Sequence, residues 1–185
     1  MVAIEANKIY THQDYFSLEE SSEVRHEFIN GNLIEMSGAS RDHHKICKNL
    51  LRLLESLLYD KPYEVFIENM KVKIQGENKY YYPDIFITKE IETDENKFVQ
   101  FAPELIVEVL RDATRSKDMV DKFIQYRKIE TLNYYLLVEP EKCLVLCYSK
   151  DGNSEWHMIS YTKMEEIIPF SILNISLSLN DIYRK

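Results

Sequence analysis

The stretch Leu105-Ile106-Val107-Glu108-Val109-Leu110 surrounds one carboxylate with five apolar residues. A strand of this composition is buried, and a buried charge is costly unless it is paired or holds a metal ion. Glu108 therefore either joins two elements through a lysine or arginine, or marks a site. Side chains alternate along a strand, so Glu108 shares its face with Ile106 and Leu110.

A second carboxylate interrupts an apolar strand at Tyr82-Pro83-Asp84-Ile85-Phe86-Ile87. Pro83 has no N–H for a ladder bond, which puts a strand start or bulge there. On its own, Asp84 reads equally as a strand-entry residue bonded to nearby backbone. Carboxylates at the centres of two neighbouring strands bring four oxygens to one point, half a shell for Mg²⁺, which takes oxygen ligands and keeps several waters. Lys122 follows Glu108 by 14 residues, on the helix after its strand. Asp118, Lys122 and Tyr126 share a helix face at i, i+4, i+8. A lysine there stabilises charge on a phosphate or orients a water; the plainer reading is an Asp118–Lys122 helical ion pair.

The 185 residues suffice for one domain spanning residues 1–185, with no repeat or linker. Ser17-Leu18-Glu19-Glu20 reads as a capping box opening a helix that runs to about His26. Asn30-Gly31 between Phe28-Ile29 and Leu33-Ile34 signals a two-residue hairpin. Ile46, Leu50, Leu53, Leu54, Leu57 and Leu58 mark an amphipathic helix over 42–59. Strands are expected at 65–67 and 71–74 (or one bent strand), 80–88, 104–110, 133–138, 144–149 and 155–161, with a helix over 116–128. The tail reads as a packing segment ending in a helical turn. The helix between 105–110 and 134–138 implies a parallel crossover; short turns make the upstream strands antiparallel. The fold class is α/β: an α+β mixed sheet with helices on its faces.

Net charge is −8, which argues against broad adhesion to nucleic acid but leaves room for a local basic patch beside a metal, from Arg41, Lys45, Lys117, Lys122 and Arg127. No apolar run is long enough to span a bilayer, and the start lacks a secretory pattern. Cys47, Cys143 and Cys147, an odd number with no CxxC, read as reduced core thiols of a cytoplasmic protein. His43 and His44 are adjacent on a helix and point apart, so one ion does not take both. The tyrosines, densest at 80–82, read as half-buried strand residues rather than base-stacking platforms. Lys71 and Lys73, alternating with Val72 and Ile74, read as a solvent face opposite a core face.

Pro83-Asp84 followed by the central-strand Glu108 resembles the PD-(D/E)xK nuclease superfamily, and more specifically the Uma2 family. The resemblance is carried by Arg25-His26-Glu27-Phe28-Ile29-Asn30-Gly31, Met36-Ser37-Gly38-Ala39-Ser40, His43 with Ile46, Tyr82-Pro83-Asp84-Ile85, Pro103 to Leu110, Thr114, Asp118, Lys122 and Tyr126, and Tyr134 to Val138. It implies a restriction-endonuclease-like fold, a central mixed β-sheet flanked by helices, and Mg²⁺-dependent phosphodiester hydrolysis, with Mn²⁺ as a substitute ion. It assigns Asp84 and Glu108 to the metal, with the Val109 carbonyl as a further ligand. The usual superfamily lysine lies two residues after the glutamate, where this chain has Leu110; in the Uma2 pattern it is displaced onto the helix, matching Lys122. Asp84, Glu108 and Lys122 are thus the expected catalytic set, with Glu35, His43, Asp118 and Tyr126 supporting it from behind. Where the family commonly has Ser-Pro-Ser-Thr, this chain has Arg111-Asp112-Ala113-Thr114.

Two functions from different classes follow. One is a metal-dependent nuclease acting on nucleic acid, DNA foremost, as a homodimer and away from membranes. The other is a nuclease-like fold without cleavage, serving as a binding or assembly module. A basic patch around the carboxylates favours the first, an acidic rim the second.

Overall fold

The computed structural model describes residues 8–36, 38–89, 98–100, 102–111 and 117–184, the side chains of 117–119 excepted. The chain opens with helix α1 (His12–Ser21), hairpin β1 (His26–Ile29) and β2 (Asn32–Glu35), and helix α2 (Arg41–Leu58). Strands β3 (Tyr63–Ile67), β4 (Lys71–Lys73), β5 (Lys79–Tyr81), β6 (Ile85–Lys89), β7 (Val99–Gln100) and β8 (Pro103–Val109) follow. A π-helical turn (Lys117–Lys122) runs into α3 (Phe123–Tyr126) and strand β9 (Tyr134–Val138). Then come β10 (Val145–Lys150), β11 (Trp156–Tyr161), β12 (Ile167–Phe170), β13 (Ile175–Ser178) and α4 (Leu179–Ile182). No helix among the described residues is long and apolar enough to cross a membrane.

The strands form a six-stranded sheet in the order β11-β10-β9-β8-β6-β3, a five-stranded sheet β2-β1-β5-β4-β7, and the hairpin β12-β13. The large sheet is mixed. β8 and β9 run parallel across the crossover, and its other pairs are antiparallel.

β8 explains the layering. All seven of its residues are buried, as a central strand with both faces covered must be. Leu105, Val107 and Val109 meet Ile46, Leu50 and Leu54 of α2, together with β12, β13 and α4. Ile106 and Leu110 face the other way, onto Tyr126 and onto Val72, Ile74 and Tyr81 of the small sheet. Beyond the small sheet lies α1, where Tyr15 and Leu18 pack on Phe28 and Tyr80, with the Tyr15 and Phe28 rings 5.1 Å apart. Ser40 caps α2 by accepting from the His43 amide at 3.1 Å.

Four expectations change. α1 starts at His12, not Ser17. Thr11 and Asp14 form the capping box, and burying Tyr15 and Leu18 extends the helix upstream. His26 opens β1 instead of closing the helix. The expected strand 80–88 is two strands in two sheets, broken at Tyr82-Pro83-Asp84, where Pro83 cannot extend a ladder. Lys71 is buried, because α1 covers the strand face expected to be wet. The acidic loop expected at 89–100 lies mostly outside the described residues.

Candidate active site

Asp84 sits at the joint between the sheets, immediately before β6. Its Oδ2 accepts from the Val109 amide at 2.8 Å and lies 3.1 Å from His43 Nε2, and its Oδ1 accepts from Arg111 Nη2 at 2.8 Å. Burial alone would raise this carboxyl; the hydrogen bond and charge of His43, then the charges of Arg111 and Lys122, hold it below the usual carboxylate range. Arg111 Nε also lies 3.1 Å from His43 Nε2. That nitrogen carries either a proton or a lone pair, so it serves Asp84 or Arg111 but not both at once.

His43 Nδ1 lies 3.6 Å from Cys47 Sγ, one helical turn along α2. His43, Cys47 and Asp84 thus bring possible metal-ligating atoms within 4.8 Å of one another. Burial, then the charge of Asp84, pushes the Cys47 thiol far up, so it stays protonated. The ring also turns opposite nitrogens to Cys47 and Asp84. The three form a hydrogen-bonded chain behind the carboxylate rather than a chelate.

Glu108 is buried on the Ile106 face. Its Oε1 accepts from Lys122 Nζ at 2.9 Å and from the Tyr126 hydroxyl at 3.0 Å. Burial, then the charge of Glu108, raises the Tyr126 hydroxyl well above its ordinary value, which keeps it a donor. Lys122 Nζ also lies 3.0 Å from Glu27 Oε1. The buried ammonium is therefore shared by carboxylates from two sheets, Glu27 of β1 and Glu108 of β8.

Of the other expected residues, Val109 meets Asp84 through its N–H. Glu35 is not brought to the cluster. It is exposed on the outer strand β2, opposite His26. The Asp118 side chain lies outside the described residues. His43 is fully buried, while His44 is exposed and 3.6 Å from Glu68. Asp84 and Arg111 open onto a cavity of about 350 Å³, which Arg25, Glu23 and Glu68 also line. Its described wall has two arginines and three carboxylates, neither the basic patch nor the acidic rim. Arg41, Lys45 and Arg127 do not line it.

Sequence reasoning misses two participants. Glu27 carries the same signal as Glu108, a charge between Phe28 and His26 in a strand, yet no spacing ties it to Lys122. Arg111 is visible as a departure from the family pattern; only geometry puts it on Asp84.

These features belong to a known class. A solved structure from Anabaena variabilis, described as a "putative nuclease belonging to DUF820", superimposes with a TM-score of 0.73 over 88% of this chain and 91% of that one, at 17% identity. The fold is restriction-endonuclease-like: mixed α+β, with central mixed sheets flanked by few helices. The chain belongs to the Uma2 family, described as "Putative restriction endonuclease", whose model matches residues 12–180. It is 33% identical to the uncharacterised Synechocystis protein sll1609 over 95% of this chain and 100% of that protein. It is 29% identical to the uncharacterised Synechocystis protein slr1290, over 93% and 90% respectively.

Proposed function

We propose that this chain is a metal-dependent endonuclease that hydrolyses phosphodiester bonds of nucleic acid, DNA foremost, with Mg²⁺ as its ion and Mn²⁺ as a substitute. The observation that carries this reading is the buried Lys122 ammonium on Glu108, beside an Asp84 that takes the amide of the next residue, Val109. Asp84, which lines the cavity, and the buried Glu108 offer the carboxylate oxygens that a hard divalent cation prefers. Asp84 and Glu108 would hold it, with the Val109 carbonyl as a further ligand. When bound, it supplies charge neutralisation at the phosphate and an activated water.

The chain's own groups do the rest. Lys122, oriented by Glu27 and Glu108, offers a positive charge to the phosphate oxygens and positions the attacking water. Tyr126 fixes the Glu108 carboxylate through its O–H. His43 and Cys47 steady Asp84 from behind. Arg111 neutralises Asp84, and with an ion held there its guanidinium would be available to a phosphate oxygen.

The test is calorimetric titration of Mg²⁺ and Mn²⁺ into wild type, Asp84→Ala and Glu108→Ala, with cleavage of DNA and RNA assayed on the same samples. Both variants are expected to lose metal binding and cleavage together. A wild type that binds no metal and cuts nothing would sink the reading.

One observation favours a second reading. The cations of Arg111 and Lys122 already satisfy the two carboxylates, and the cavity wall mixes charges. A site closed by its own cations suits a nuclease-like fold that binds or assembles without cutting. Metal-free binding of nucleic acid or protein, with no cleavage under any ion, would decide for it.

A further inference from the structure

Lys71 is only 5% exposed, and its ammonium stands among four rings: 5.2 Å from the centre of Tyr82, 5.6 Å from Phe16, 5.8 Å from Tyr15 and 5.9 Å from Phe98. Aromatic faces attract a cation but accept no strong hydrogen bond. Among the described residues the ammonium makes no hydrogen bond or ion pair. The nearby carboxylate of Glu19 is already used. Its Oε1 takes the His26 amide at 3.0 Å and lies 2.9 Å from His26 Nδ1, and its Oε2 takes the Tyr82 hydroxyl. A buried ammonium without an acceptor is costly, and none of the described residues supplies one, so an acceptor entering the adjoining space would be stabilised there.

The space for one exists. Lys71, Phe16 and Phe98 line a cavity of about 280 Å³, with Arg25, Asn69 and Glu20 in its wall. Arg25 and Asn69 also line the cavity onto which Asp84 opens, so the two spaces adjoin. Phe98 is 56% exposed and free to stack. The wall carries Lys71 and Arg25 against Glu19 and Glu20. A balanced wall does not suit a bare polyanion. It suits a flat neutral ring with its own donors and acceptors.

We propose that this cavity seats one unpaired nucleobase of the nucleic acid whose phosphodiester lies at Asp84 and Glu108, with a carbonyl oxygen of the base accepting from Lys71. The inference rests on the nuclease reading and adds to it a substrate feature, an unpaired nucleotide next to the cut. Thymine, uracil, cytosine and guanine carry such a carbonyl and adenine does not, so adenine is the poorest fit.

The test measures fluorescence anisotropy of short labelled oligo(dT), oligo(dA) and a blunt-ended two-strand duplex, in EDTA to stop turnover. Wild type is compared with Lys71→Met and Phe98→Ala, and cleavage and Mg²⁺ titration are run in parallel. Lys71→Met exchanges a buried charge for a residue that packs well among rings, and Phe98→Ala trims an exposed one, so both variants keep the fold. Each is expected to weaken oligo(dT) binding about tenfold, Phe98→Ala by loss of a stacking partner and Lys71→Met by loss of the donor to the base carbonyl, with the duplex nearly unaffected. Lys71→Met should also erase the preference for dT over dA. Variants that bind every probe as wild type does, or lose all probes equally while wild type still cuts, overturn the base pocket and leave the nuclease standing. A wild type that binds no probe, takes up no metal and cuts nothing overturns the nuclease reading, and this one with it.

Discussion

Arg111 holds Asp84 Oδ1 at 2.8 Å, so a divalent ion approaching that oxygen has to displace a guanidinium. A charge-assisted hydrogen bond of this kind contributes about 1.5–3 kcal/mol. Arg111→Ser is therefore expected to raise Mg²⁺ affinity by about tenfold or more. Calorimetry reads this directly, and an unchanged affinity would mean that the arginine does not compete. Glu27→Gln keeps the shape of the second acceptor on Lys122 and removes its charge. It should slow cleavage by roughly ten- to a hundredfold, as misplacement of a positioned group does, with Mg²⁺ affinity near wild type. Single-turnover rates set against calorimetry separate the two effects. Much of this cluster is legible in sequence. A carboxylate inside an apolar strand announces itself; the i, i+4 spacing puts Lys122 and Tyr126 on one face but leaves an Asp118–Lys122 pair as the plainer reading, and only the packing brings both onto Glu108. Glu27 is not legible as a partner, because its contact with Lys122 depends on how two sheets dock.

Among the elements, the hairpin of β1 and β2 decides which way Glu27 points. Asn30 and Gly31 hold φ values of 52° and 86°, the left-handed turn that fixes the register Glu27↔Ile34. A one-residue slip would send Glu27 to the α1 side, away from Lys122. A Cβ on Gly31 would stand 2.5 Å from Ile9 Cγ2 besides straining the backbone. Gly31→Ala is accordingly expected to cost about 1–2 kcal/mol, a Tm loss of roughly 2–8 °C by thermal melting. This turn was readable from Asn-Gly alone. The start of α1 was not, since Ser-Leu-Glu-Glu and Thr-His-Gln-Asp both satisfy the capping pattern, and burial of Tyr15 chooses between them. The split of 80–88 into two strands was only half announced: Pro83 marks a break, but not that the halves belong to different sheets.

On the scale of the molecule, the parallel crossover from β8 to β9 follows from strand–helix–strand order, while the docking of the small sheet does not. The large sheet ends at β11, where Met158 and Ile159 are about half exposed, at 51% and 54%. An apolar edge strand is a template for pairing with a second copy. Should the proposed endonuclease work as a homodimer, this edge is the contact it would use. Ile159→Lys is expected to yield a monomer by sedimentation; a wild type that is itself monomeric at working concentration would remove the dimer from the account.

The sharing of Lys122 between Glu27 and Glu108 also bears on synthesis. On the ribosome, Glu27, Asp84 and Glu108 all emerge before Lys122 does. Until then Glu27 and Glu108 lack the ammonium they share, and Glu27 has no reason to sit near Glu108. The constellation assembles only when the crossover is complete and both sheets have met, so a nascent chain carries no finished cluster.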